Sequence, residues 1–234
     1  YYFFRDHNIA AYPSLYREPA NPDPFFQRRQ FGFSLGGPIR RDRVFFFGNW
    51  ERNEQRGVVS RTLVGDFATF GGITPSPSFG NLASVRFDAK LSNMHTAFLR
   101  YSHDGNRSFA PGNTQATALP SNWFNNQNWA DQSLLGITSV FRPTLVNDFR
   151  FQYFFVSSHT VPAQEEDCAG CLGIGAPTIN VQSGLSLGQS QTVFGPLRRF
   201  QLGDGLTLQS GGHRTRFGVD WEHNRGQNLV WNNE

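Results

Sequence analysis

The chain repeats one rhythm along its length: two stretches of alternating side chains joined by a short turn, then a long polar stretch, then another such pair. Ala83, Val85, Phe87, Ala89 and Leu91 fall on one face, and Ser84, Arg86, Asp88 and Lys90 on the other. After a turn near Ser92-Asn93-Met94, Ala97, Leu99 and Tyr101 alternate with Thr96, Arg100, Ser102 and Asp104. A period of two places successive side chains on opposite sides of an extended backbone, so each pair predicts a β-hairpin with one greasy and one charged face. Three further hairpins follow the same rule. Gln27–Gly36 and Val44–Arg56 flank a Gly37–Arg43 turn. Ile137–Phe141 leads through Arg142-Pro143-Thr144-Leu145-Val146-Asn147 to Phe149, Phe151, Tyr153 and Phe155. Phe200, Leu202, Leu206 and Leu208 lead through Ser210-Gly211-Gly212 to Phe217, Val219 and Trp221.

The stretches between hairpins, Gly57–Asn81, Gly105–Asp131 and Val161–Arg198, are rich in Gly, Pro, Asn, Ser and Thr and read as long loops. Loops of that length argue against a compact water-soluble domain. Short turns at one end and long loops at the other are the pattern of an antiparallel transmembrane β-barrel, with short periplasmic turns and long extracellular loops. The faces agree: Arg86, Asp88, Lys90, Arg214, Arg216, Asp220 and Glu222 can surround a wet interior while Phe, Leu, Val and Tyr meet lipid. Trp50, Tyr101, Tyr153 and Trp221 sit towards the ends of these segments, where interfacial aromatics are expected. A soluble β-sandwich with a charged outer face remains the rival all-β reading. Eight strands are counted, plus a strand fragment at Tyr1–Phe4, and both chain ends read as cut from a longer protein.

Composition supports strands over helices, with 24 phenylalanines, 24 glycines and a single methionine in 234 residues. Mean hydropathy is −0.45, and no apolar run approaches the ~18 residues of a membrane helix. Neither fact bears on a β-barrel, whose strands need only alternate positions to be apolar. The +3 net charge is scattered, apart from Arg40, Arg41 and Arg43 about Asp42, so no nucleic-acid surface is indicated.

Several stretches resemble the Oar-type branch of the TonB-dependent outer-membrane receptors. They are Tyr2–Pro13 (YFFRDHNIAAYP), Asn21–Gly32 (NPDPFFQRRQFG) and, most characteristic, Leu35–Gly48 (LGGPIRRDRVFFFG). Echoes follow at Val85–Asp88, Arg142–Arg150 and Gly212–Asp220, in the same order over nearly the whole chain. The resemblance implies a partial barrel domain over residues 1–234, the early part of a barrel of about 22 strands. It implies an outer-membrane location in a Gram-negative bacterium, and a non-enzymatic receptor for an unknown solute. Uptake would be energised by the TonB complex through an N-terminal region not present here. Lipid and lipopolysaccharide are the expected surroundings, with no cofactor. A stand-alone eight-stranded barrel used for adhesion or structure is the alternative, although the strand at Tyr1–Phe4 would make the set odd.

Other chemistry is sparse. Cys168-Ala169-Gly170-Cys171 has no second pair to complete a zinc site, and its place in a presumed exterior loop predicts a disulfide between Cys168 and Cys171. Glu165, Glu166, Asp167 and His159 nearby match no closed metal spacing. Trp123, Phe124 and Trp129, among Asn122, Asn125, Asn126, Gln127 and Asn128, are candidates to stack on a sugar or other ligand. Gly32-Phe33-Ser34-Leu35-Gly36 matches the G-x-S-x-G nucleophile elbow, and Gly184–Gly188 repeats the match. That elbow needs a strand before the serine and a helix after it, whereas a turn and another strand follow Ser34. A secreted hydrolase using Ser34 is the remaining alternative.

Overall fold

The computed structural model describes residues 1–11, 22–111, 117–181, 185–189 and 191–231. Parts of the segments Tyr2–Pro13, Asn21–Gly32 and Gly184–Gly188, and the last three residues, lie outside them.

The described chain is built of antiparallel strands and three short 3-10 turns. The strands are β1 (Tyr2–Asp6), β2 (Phe26–Arg40), β3 (Val44–Arg61), β4 (Gly72–Pro75), β5 (Ser78–Lys90) and β6 (His95–Pro111). Then come β7 (Trp123–Arg142), β8 (Leu145–Pro162), β9 (Ile179–Asn180), β10 (Ser186–Leu187), β11 (Thr192–Ser210), β12 (His213–Gly226) and β13 (Leu229–Trp231). No described helix is long and apolar enough to cross a membrane, which says nothing about strands.

All strands except β9 and β10 join one 11-stranded sheet in the order β1-β2-β3-β5-β6-β7-β8-β11-β12. β4 pairs with β3 in the register that β5 continues, since Val58 faces Pro75 and Gln55 faces Ser78. β13 continues β12 along β11 in the same way, with Phe194 facing Leu229 and Leu197 facing Gly226. Eleven strands less these two continuations leave nine staves: the eight read from the sequence and the fragment at its start.

Each predicted hairpin turn is present, at 41–43, 91–94, 143–144 and 211–212. Asp42 takes the left-handed conformation (φ 60°), which a short polar side chain tolerates, and Arg43 N–H closes that turn on the Arg40 carbonyl at 3.1 Å. The strands themselves overturn part of the expectation. β6 runs to Pro111 and β7 starts at Trp123, so most of the stretch read as the loop Gly105–Asp131 is strand. β3, β5 and β8 likewise extend into stretches read as loops. In these outer portions apolar and polar side chains mix on both faces, and a strand without one consistently greasy side has no period-two signature to betray it. Trp50, Tyr101, Tyr153 and Trp221 therefore lie inside longer strands, not at their ends.

The sheet is a single layer. Phe87, Phe151 and Phe217, which a sandwich would cover, are 41%, 37% and 62% exposed. Among the described residues the buried hydrophobic side chains are gathered at the loop end: Phe109, Ala118, Leu119, Trp123, Ala163 and Leu185.

Candidate solute-facing wall and loop cap

Register converts the sheet into two chemical surfaces, because residues opposite one another share a face. On one face a continuous apolar row crosses seven staves: Phe46, Phe87, Leu99, Leu135, Phe151, Leu202 and Trp221, each paired with the next. An apolar row running across seven strands, with Phe87, Leu99, Phe151 and Trp221 all exposed, marks a surface that meets an apolar partner or lipid.

The other face is ionic and amide-rich. Arg86 donates to Asp88 at 2.6 and 2.8 Å, Arg150 to Asp148 at 3.0 Å, and Arg199 lies 3.5 Å from Glu222. Arg86–Asp88 and Arg150–Asp148 are two apart on one strand, which keeps both charges on the same side, whereas Arg199 and Glu222 pair across β11 and β12. Arg86 also lies over the Phe98 ring at 4.1 Å. That ring in turn covers Gly136, where an added Cβ would lie 2.3 Å from it. Glycine is the residue that lets the aromatic lie flat against the wall.

Towards the loop end the same face is uncharged on β6, β7 and β8. Asn106, Asn128 and Ser158 share one row, with Asn128 Nδ2 donating to Asn106 Oδ1 at 3.0 Å and Ser158 Oγ to Asn128 Oδ1 at 2.8 Å. In the next row Thr160 Oγ1 donates to Asn126 Oδ1 at 2.9 Å. Amides held by one another keep spare donors and acceptors, the surface a polar uncharged solute needs. Asn126 and Asn128 were visible in the sequence as neighbours of Trp129, but nothing there said that alternate residues lie on opposite faces of a strand.

Above the strands, residues 117–122, 163–181 and 185–189 knit into a cap. Trp123 is fully buried, its ring 5.2 Å from Phe109 and its Nε1 donating to the Ala118 carbonyl at 3.0 Å. Leu119 N–H reaches the Ser186 carbonyl at 2.8 Å, and Asn122 Nδ2 reaches the Gly188 carbonyl at 3.0 Å. Gly188 N–H donates to the buried Ser121 hydroxyl at 3.1 Å. Gly188 itself has φ +87°, and a Cβ there would sit 2.0 Å from the Pro177 carbonyl oxygen. Only glycine fits.

Cys168 and Cys171 are bonded to each other in this cap, with Cα atoms 5.6 Å apart. Glu165 accepts from Gly170 N–H at 2.7 Å, while Asp167 accepts from Gln164 N–H at 2.9 Å and from the Asn125 amide. These carboxylates are engaged in shaping the loop. Among the described residues no group of three or more His, Cys, Asp and Glu could hold a metal ion.

The aromatic trio is dispersed. Trp123, Phe124 and Trp129 all lie on β7 and not in a loop. Trp123 is wholly buried and so cannot stack on a ligand. Trp129 is 52% exposed and shares the face of Leu135, turned away from the amide rows. Phe124 falls on the opposite face of β7 by register. Ser34 lies inside β2 opposite Asn49, with a further strand and no helix after it, so the nucleophile elbow is absent. Ser186 bonds Asn180 at 2.8 Å in the small β9–β10 pair.

A chain so organised was compared with known proteins. No curated relative matches the sequence. Among solved structures it is similar to the outer membrane transporter YddB from Escherichia coli, at 12% identity and a TM-score of 0.62. That likeness spans 87% of this chain but only 26% of the transporter, and at this identity it shows the fold alone. The model of the outer membrane β-barrel domain matches residues 1–70 and 62–234, the whole length of this single-layered, two-faced sheet. The chain belongs to the outer membrane β-barrel domain family.

Proposed function

We propose that this chain forms part of the wall of a large, TonB-energised uptake receptor of the Oar type, its ionic and amide face lining the lumen and its loop cap outside the cell. The observation that carries the reading is the pair of free sheet edges. β1 and β12 each have a partner on one side only among the described residues. Nine antiparallel staves would have to close with β1 parallel to β12, which even-stranded bacterial barrels do not do. Further strands satisfy both edges, as the limited coverage of the much longer transporter also suggests. The surface chemistry supports passage of a polar solute.

The test uses cells producing the full-length protein, with and without a functional TonB complex. A solute gained only in energised cells, and only when the protein is present, supports the reading. Equal accumulation without TonB would reduce the protein to a passive barrel. A disulfide formed efficiently between cysteines placed at Phe4 and Val219 would show that β1 meets β12 and would overturn the large-barrel reading.

A further inference from the structure

The charges of this chain are scattered in sequence, but the topology sorts them by end. The hairpin turns at 41–43, 91–94, 143–144 and 211–212 lie side by side along one rim of the sheet, because the hairpins β2-β3, β5-β6, β7-β8 and β11-β12 are neighbours in its strand order. Within two residues of those turns stand six Lys and Arg side chains, Arg40, Arg41, Arg43, Lys90, Arg142 and Arg214, against one carboxylate, Asp42. The cap at the other end is the reverse. Its segments 117–122, 163–181 and 185–189 hold Glu165, Glu166 and Asp167 and no Lys or Arg.

All six cations are exposed, and among the described residues none of them enters an ion pair. The nearest carboxylates above them on β5 and β8 are taken, Asp88 by Arg86 and Asp148 by Arg150. The ionic face of the wall thus pairs its charges, while the rim leaves one sign uncompensated. Neighbouring strands lie about 4.8 Å apart, so turns two strands apart repeat about every 10 Å. At that spacing salt screens much of the mutual repulsion, and the rim can stay positive at little cost to the fold. Register divides the cations between two sides. Lys90 and Arg214 share the face of Arg86 and Asp220, while Arg40 and Arg142, each just past a register shift, share the face of the apolar row. Lipid headgroups can reach only the second pair. A partner approaching the rim from beneath meets both.

We infer that this rim docks onto peptidoglycan. Short turns of an outer-membrane barrel face the periplasm, and the extended polyanion beneath them there is the cell wall. Its repeating units carry stem peptides whose free carboxylates outnumber their amines. Charge complementarity is direct, since guanidinium groups present a planar fork of donors that matches a carboxylate. The repeat of positive charge from turn to turn suits a repeating polymer better than one compact acidic patch, which would meet a turn or two. Each exposed contact is weak alone, and contacts spread over four turns gain by acting together. The inference rests on the membrane orientation of the sheet and not on the proposed uptake.

The experiment mixes the full-length protein, purified in a neutral detergent, with purified peptidoglycan sacculi and measures what co-sediments. Wild type is expected to pellet at low salt and to be released as salt rises. Sacculi whose carboxylates have been amidated should retain about tenfold less, and native sacculi should retain about tenfold less of the R41Q/R43Q/K90Q/R142Q variant. R41K/R43K/R142K keeps every charge and is expected to pellet with the wild type. Heat-modifiable gel mobility reports whether each variant folds. Should the glutamine variant not fold, the amidated sacculi decide alone. Equal pelleting with native and amidated sacculi, or by wild type and the folded glutamine variant, would overturn the inference. So would failure of the wild type to pellet, and retention of phosphatidylglycerol through the same four residues would then assign the rim to the inner leaflet.

Discussion

The lower wall and the loop cap obey opposite rules. Leu99 in the wall is 50% exposed and Phe217 62%, yet they belong to the most regular part of the molecule. In the cap Ser121 and Ala163, together with Trp123 at the first position of β7, are wholly buried among segments that contain little regular structure. The wall hands its apolar groups to lipid and needs its backbone ladder to satisfy every amide, because hydrocarbon offers none. The cap stands in water, so it must make a small core of its own and tie its backbone with specific bonds such as Trp123 to Ala118. Burial within one chain is thus a poor guide to which residues matter here; the surrounding solvent decides.

Four substitutions sharpen that contrast, and the largest effect belongs to the cap. Trp123→Ala removes its central ring and one indole hydrogen bond, which should cost the cap about 3–5 kcal/mol. Protease cleavage between residues 117 and 122 and between 163 and 181 should accelerate, while the folded-barrel band on an unheated gel persists. If that band vanished as well, wall and cap would be one cooperative unit and the division would fail.

Phe151→Arg tests the wall. On the lipid face a central arginine should cost about 2–4 kcal/mol, read as a lower denaturant midpoint for the barrel in phospholipid vesicles. Its neighbour Gln152, on the ionic face opposite Gln201, provides the control, and Gln152→Arg should shift the midpoint by less than about 1 kcal/mol. Equal effects would mean that the two faces are not in different solvents.

Gly188→Ala should loosen the cap by about 1–3 kcal/mol, since it forces a side chain into a left-handed residue against Pro177. Faster amide exchange at Leu119 and Gly188 would report it. Cys168→Ser is the mildest change. The ring spans a sequence separation of 3, so its loss should cost about 2 kcal/mol or less and alter exchange only around residues 164–174. A fall in barrel stability on reduction would show that the loop tip is structurally coupled to the wall.

Much of the architecture was legible before any coordinates. Alternation such as Val85, Phe87 and Ala89 against Arg86, Asp88 and Lys90 needs a boundary between two solvents, and only an extended chain lying along that boundary produces it. The turns at 41–43, 143–144 and 211–212 announce themselves through Asp, Pro and Gly for local steric reasons. Hairpins, faces, stave count and membrane setting follow from these short-range constraints. The ties of Leu119 to Ser186 and of Ser121 to Gly188 carried no such signal, because they join segments that spacing alone does not relate.

Local patterning therefore sufficed for what each strand shows to its two sides. Strand length, row alignment and the cap were settled only when neighbouring staves came together. Above the membrane both faces are wet, side-chain polarity no longer records backbone conformation, and the hydrogen bonds that hold β6 against β7 as far as Pro111 and Trp123 belong to the pair and not to either sequence.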